Sequence, residues 1–262
     1  MADIPLQALL AWKGVVVGAW LALFLLAERL VPAAPSPTGG PLARASLRRL
    51  GRNAALWLVN VGLSPMIVVP LTAWAAAWAP AWRPPWWSGA PGLVLDLLLL
   101  DFLIYWWHRA NHEVALLWRF HRVHHLDATL DASSALRFHF GEVLLSALAR
   151  AGAIVLLAVP LASVLAFEAL LLLATIFHHS NLRLPAGLER ALACLVVTPS
   201  IHWVHHHKLR RDTDSNYATV LSLWDPLFGT RSATKRRPDM PIGVEGQDER
   251  PLAALLAAPF GR

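Results

Sequence analysis

All twelve histidines of this 262-residue chain lie between His108 and His207, and most fall into three clusters. His108 and His112 are spaced H-x-x-x-H, and His121, His124 and His125 form an H-x-x-H-H triplet. His202, His205 and His206 repeat that triplet, with His207 directly after, while His139, His178 and His179 stand between the clusters. Imidazole is the commonest side-chain ligand for transition metals. On a helix, residues at i, i+3 and i+4 share a face, so each cluster can aim two or three rings the same way. Two triplets and a pair supply eight ligands, too many for one ion and about right for two. Histidines dispersed on solvated faces or satisfied singly in a core have no reason to collect in this way. Metal binding is the reading they support.

The elements that must carry these clusters are apolar. The chain is 56% apolar and only 15% charged, and its mean hydropathy is positive. Soluble domains carry about 25% charged residues, so the composition points to a membrane protein. A spanning helix needs about 20 mostly apolar residues. The first such stretch runs from Leu6 to Ala27, with Lys13 early enough to snorkel outward. It lacks a small-residue cleavage site after a short apolar core, so it reads as an anchor. A Pro/Gly-containing basic loop from Glu28 to Asn53 follows, with Arg29, Arg44, Arg48, Arg49 and Arg52. The second span, from about Ala54 to Ala81, contains Pro65 and Pro70, which should kink it. The Trp- and Pro-rich turn from Pro80 to Pro91 resembles an interfacial aromatic belt. A third span starts near Gly92 and runs into the first histidine cluster. The apolar stretch from Glu142 to Phe177, broken at Pro160, is long enough for a two-helix hairpin, either spanning or re-entrant.

The positive-inside rule puts the Arg-rich loop in the cytoplasm. Counting spans from there brings every histidine cluster to the cytoplasmic face. The expected fold is therefore all-α: a multi-pass bundle of about four to five membrane helices with a cytoplasmic-side helical cap holding a di-metal site. Residues 1–91 form the N-terminal spans and basic loop, 92–230 the histidine-box catalytic region and 231–262 a polar C-terminal tail. Cys194 is the sole cysteine, which excludes an internal disulfide and any cysteine-based zinc or iron–sulfur site. Imidazole ligation suits zinc, iron, copper or nickel. The net charge of +6 is read as cationic loops at a membrane surface, not as a nucleic-acid footprint, because the basic residues flank apolar segments.

Asp101, Tyr105, His108 and His112 fall on one helical stripe. A carboxylate a turn or two below a ligand histidine can take its second ring N–H and fix its tautomer, so Asp101 is the expected orienting residue. Asp96 lies off that stripe. His139 reads equally as a ligand or a hydrogen-bonding neighbour. At least one of His178 and His179 should ligate, with His179 favoured, and His207 falls off the pattern. Arg150 and Glu168 should reach similar depth on either side of Pro160, where they could pair.

The run DFLIYWWHRANHEVALLWRFHRVHH, followed by RFHFGE, FHHSNLRLP, TPSIHWVHH and DSNYATVLSLWDPLFGT, resembles the fatty acid hydroxylase superfamily, also called the sterol desaturase family. The resemblance covers roughly Asp101 to Thr230. It implies a membrane-embedded di-iron site that uses O2 and electrons to hydroxylate or desaturate lipid C–H bonds. By position it implies His108, His112, His121, His124, His125, His179, His202, His205 and His206 as ligands, and Asn216 and Tyr217 as an N-Y pair supporting them. Three departures bear on substrate fit. His207 stands where a small polar residue is usual, Trp203 where a basic one is common, and Phe140 where a proline is expected.

The leading expectation is an O2-dependent oxidoreductase acting on a sterol, fatty acyl, sphingoid, ether lipid or carotenoid, with two iron ions that zinc could replace. No G-x-G-x-x-G motif is present, so electrons should come from an NAD(P)H-linked donor through a separate reductase, ferredoxin or cytochrome-type partner. A membrane zinc metallohydrolase is a weaker reading, because HRANHE has a different order from H-E-x-x-H. A non-enzymatic metal transporter or sensor is weaker again. Transporters bind at mid-membrane depth, whereas these clusters sit at helix ends.

Overall fold

The computed structural model describes residues 6–36, 39–40 and 43–261, which form helices and three isolated bridges with no strand among them. Helix α1 (Leu6–Leu30) covers the expected first span. Helix α2 (Arg44–Leu63) passes through a π-helical turn at Ser64–Val68 into α3 (Val69–Ala77). Pro65 and Pro70 lack an N–H for the helical ladder, so the wide turn falls where the sequence placed the kink. Helix α4 (Gly89–Glu113) is separated from α5 (Ala115–His125) by Val114 alone, whose extended backbone breaks the helix. A short 3-10 turn at Ala132–Leu136 leads to the hairpin of α6 (Phe140–Leu157) and α7 (Leu161–His179), which reverses at Ala158 (φ 49°) and Pro160. Short helices complete the chain: α8 (Ala186–Ala193), α9 (Pro199–His205), α10 (Arg210–Thr213), α11 (Trp224–Leu227) and α12 (Leu252–Ala257).

Among the described residues four helical stretches are long and apolar enough to cross a membrane: 44–77, 89–113, 140–157 and 161–179. Leu23, Leu58, Met66, Trp74, Leu98 and Leu156 are exposed on the long helices. Such surface is costly in water and costs nothing against lipid, while each helix satisfies its own backbone. The chain is an integral membrane protein. Between the spans Ala75, Leu100, Ile154, Val164 and Phe167 pack into one apolar core.

Three expectations change. Lys13 does not reach outward. Its Nζ lies 2.5 Å from Glu168 Oε2, and Arg150 Nη1 lies 3.2 Å from Oε1, so the expected Arg150–Glu168 pair gains a third member. Charges at membrane depth are costly unless paired. The basic segment is already helical from Arg44, and its Arg49 is buried, bonding Asp127 at 2.7 Å and also Asp131. Asp127 follows His125 by two residues, so the arginine-rich end of α2 and the histidine clusters share one end of the bundle. Finally, the segment expected as a polar tail is packed over its described residues 231–261: Met240 and Ile242 are buried with Leu130 and Trp203, and Val244 and Leu255 with Leu56 and Val123.

Candidate metal centre

The histidines gather at helix ends. His108 and His112 occupy the last turns of α4, His121, His124 and His125 the end of α5, His178 and His179 the end of α7, and His202 and His205 the end of α9, with His206 next. They meet in two buried groups. His108, His112, His121, His125 and His205 form one, and His124, His179, His202 and His206 the other, with ligand atoms within 4.8 Å of one another in each. These are the nine positions expected from the sequence, and each sequence triplet divides between the groups. Consecutive residues on a helix point about 100° apart, so His124 and His125 aim at different centres, as do His205 and His206. His121 and His125, or His202 and His206, stand four apart and share a face.

Second ring nitrogens fix the tautomers. His108 Nδ1 lies 2.7 Å from the Tyr217 carbonyl, His124 Nδ1 3.1 Å from that of Arg137, His179 Nδ1 2.8 Å from that of Thr175 and His205 Nδ1 2.7 Å from that of Ser215. A carbonyl oxygen only accepts, so each Nδ1 carries the hydrogen and each Nε2 the lone pair. His121 Nδ1 meets Glu142 Oε1 at 2.7 Å. Burial, reinforced by the neighbouring rings, drives the pKa of His124, His125, His202, His205 and His206 well below the ordinary imidazole range, which keeps them neutral.

Neutral rings of this tautomer make one contact diagnostic. His124 Nε2 and His179 Nε2 face each other at 3.0 Å, and both present lone pairs. Two acceptors at that distance repel unless a cation lies between them. His202 Nε2 is 3.0 Å from His179 Nε2 and 3.1 Å from His206 Nε2. Adjacent ligands on an ion at the usual metal–nitrogen length of about 2.1 Å stand about 3 Å apart, so the spacing fits an ion. In the group of five, buried His205 Nε2 and both nitrogens of His112 have no hydrogen-bond partner. The all-nitrogen set suits iron, and equally zinc.

Other expected residues behave differently. His139 caps α6 by accepting from Gly141 N–H, and His207 bonds Asp212 at 2.7 Å. His178 packs its ring 4.0 Å from that of His202 but belongs to neither group. Asp101 is buried on the same helix as His108, yet its Oδ2 accepts from Leu221 N–H and Trp224 Nε1 at 3.1 and 2.8 Å. The expectation that it takes a histidine N–H is corrected: the 217–225 loop lies between, and the Tyr217 carbonyl fills that role. Asn216 adopts a left-handed backbone (φ 52°), tolerated by asparagine. Its side chain donates to the Ile201 carbonyl and accepts from Ser232 N–H, tying α9 to the following segment. Tyr217 lays its ring 5.3 Å from that of His112.

Two carboxylates carry roles that spacing did not reveal. Glu142 reaches His121 because Gly141 lets the start of α6 approach α5: a Cβ there would stand 2.4 Å from the Phe120 ring. Asp225 accepts from the N–H groups of Tyr217 and Ala218 at 2.7 and 3.2 Å, which holds the Tyr217 carbonyl on His108. Neither acid lies at helical spacing from a histidine box, so only the fold brings them in.

Comparison with known proteins agrees with this architecture. The fatty acid hydroxylase pattern matches residues 93–230. The chain belongs to the fatty acid hydroxylase family. It is 31% identical to the ornithine lipid hydroxylase OlsE of Rhizobium tropici over 260 residues, covering 97% of this chain and 77% of that protein. It is 33% identical to the alkylglycerol monooxygenase of Homo sapiens over 139 residues, 53% of this chain and 30% of that protein. Identity to the cholesterol 25-hydroxylase-like protein of Danio rerio is also 33%, over 53% of this chain and 54% of that one. The chain thus spans under a third of the human relative's length. No solved structure matches. With relatives named as hydroxylases and monooxygenases, this member of the fatty acid hydroxylase family is an oxidoreductase.

Proposed function

We propose that the nine histidines hold two iron ions, His108, His112, His121, His125 and His205 around one and His124, His179, His202 and His206 around the other. The observation that carries this reading is the division of nine buried rings into two convergent groups. The iron pair, when bound, supplies the oxidising power drawn from O2 to break an unactivated C–H bond. The protein's own part is to present Nε2 lone pairs, through the Nδ1 bonds to Tyr217, Arg137, Thr175, Ser215 and Glu142, and to exclude water by burial.

The reaction we propose is hydroxylation of a membrane lipid, in keeping with the names of the relatives. One oxygen atom enters the product and the other leaves as water, which requires two electrons and two protons. With no nucleotide-binding motif in the chain, the electrons come from a separate NAD(P)H-linked carrier. The lipid class to test first is the amino-acid-headed type after which OlsE is named, because that alignment runs nearly the whole chain. The arginine-rich end of α2 supports a cytoplasmic position for the site. Asn216 and Tyr217 act as positioning residues, and Asp101 steadies their loop.

Membranes containing the chain should convert such a lipid under 18O2 to a product heavier by one 18O atom. Label arriving from H2(18)O instead would favour the metallohydrolase and overturn this reading.

A further inference from the structure

Helix α9 borders a second feature beside the metal groups. Ile201 and Val204 line a cavity of about 650 Å³, while His202 and His205 of the same helix, with His206 just after it, belong to the metal groups. One helix is about 10 Å across, so the cavity and the histidines are near neighbours with no shared lining. Five cations border the cavity, Arg183, Arg190, Arg231, Lys235 and Arg236, against a single carboxylate, Glu189. That carboxylate is already engaged, accepting from Ser200 Oγ and N–H. Among the described residues none of the five cations forms an ion pair.

Arg236 is the most constrained of them. Its guanidinium lies over the Trp203 ring at 4.0 Å and donates only to neutral oxygens, the Leu182 carbonyl at 3.4 Å and Asn181 Oδ1 at 3.3 Å. Burial pulls its pKa down to about 10, against the weaker pull of Glu189. A cation held in place and short of countercharge accommodates an anion at little reorganisation cost. Trp203 is the surface on which this arginine is laid.

The source of the anion follows from the neighbouring helix. α8 begins seven residues after α7 ends, and Leu188 and Leu195 are exposed on and just beyond it, beside the cavity-lining Glu189 and Arg190. Exposed leucines next to arginines at the end of a membrane helix mark the headgroup level of the bilayer. We propose that this cavity binds a phosphate- or carboxylate-bearing group, supplied as the headgroup of a membrane lipid and clamped by Arg236 with Lys235, Arg231 and Arg190. The volume falls within the range of small-ligand pockets, about 300–1,000 Å³. Binding here does not depend on the metal assignment, so the two can fail separately.

The test is native mass spectrometry of the full-length protein in neutral detergent, titrated separately with short-chain phosphatidylglycerol, phosphatidylcholine and inorganic phosphate. One phosphatidylglycerol should be retained in preference to phosphatidylcholine. Arg236→Gln should weaken that adduct about tenfold or more, the scale of losing a charge-assisted contact. Because Arg236→Gln also strips the Trp203 face, the exposed double variant Arg231→Gln/Lys235→Gln is run beside it and should weaken the adduct at unchanged metal content. Phosphate competing as well as the lipid would uphold the anion site and overturn the lipid source. Equal retention of the two lipids, or of phosphatidylglycerol by wild type and both variants, would overturn the proposal. So would cross-linking at Lys235 in membranes that captures an acidic protein in place of lipid.

Discussion

Nδ1 of His121 lies 2.7 Å from Oε1 of Glu142, a carboxylate delivered by the first turn of α6 to a ring on α5. The contact aims Nε2 of His121 at the group of five. Losing such a partner typically lowers metal affinity or activity about 10- to 100-fold. Glu142→Gln should therefore release metal to a chelator faster and turn over more slowly while remaining in the membrane. Metal retention equal to wild type would remove Glu142 from the site.

Gly141 is tested through the same contact. Gly141→Ala places a methyl against the Phe120 ring, so α6 must shift away from α5. Both thermal stability and metal retention should fall, and Phe120→Ala in the same chain should recover part of each by vacating the space. An unchanged melting temperature in Gly141→Ala would contradict the close approach.

Asp101 and Asp96 separate by consequence. Asp101 holds the loop that brings the Tyr217 carbonyl to His108, whereas Asp96 bonds Trp87 and Ser163 and pairs with Arg83 at the far end of the spans. Asp101→Ala should cost about 1–3 kcal/mol of stability through unpaired N–H groups and weaken metal retention as the loop loosens. Asp96→Ala should cost stability with metal retention intact. Equal metal loss in both variants would contradict the division.

Asp127 sets an acid limit. Burial alone would raise its pKa, but Arg49 and Arg137, with bonds from Asn53 and Ser134, outweigh that and hold it below the usual carboxylate range. A depressed folded-state pKa means stability that is present above the unfolded value of about 3.9 and lost as pH falls through the folded one. The wild-type melting temperature should drop in that acid window. Asp127→Asn, which leaves Arg49 with less countercharge, should melt lower at pH 7 and lose less on acidification. Parallel pH profiles would contradict the assignment.

Much of this site was legible because helical spacing is a strong constraint. The eight histidines of the three boxes, the hairpin turning at Pro160 and the interruption at Pro65 and Pro70 follow from residue type and period, whereas His179 rested on its place at the end of the hairpin and on the family resemblance. The partition of the rings was not legible, since it depends on how α5 and α9 are rotated against α4 and α7. Nor were the partners of the second nitrogens, four of which are backbone carbonyls that any residue could supply. Asp101 illustrates the limit: its burial beside His108 on α4 was readable, but the intervening 217–225 loop was not.

Two ions held in two separable groups fix the metal content per chain, which is the most direct quantity to measure. Elemental analysis of the iron-reconstituted protein should give about two equivalents for wild type and about one for either His179→Ala or His112→Ala. Each removes a ring from a different group. The double variant should fall further than either single one. A reproducible single equivalent in wild type, unchanged by reconstitution, would contradict the two-ion account.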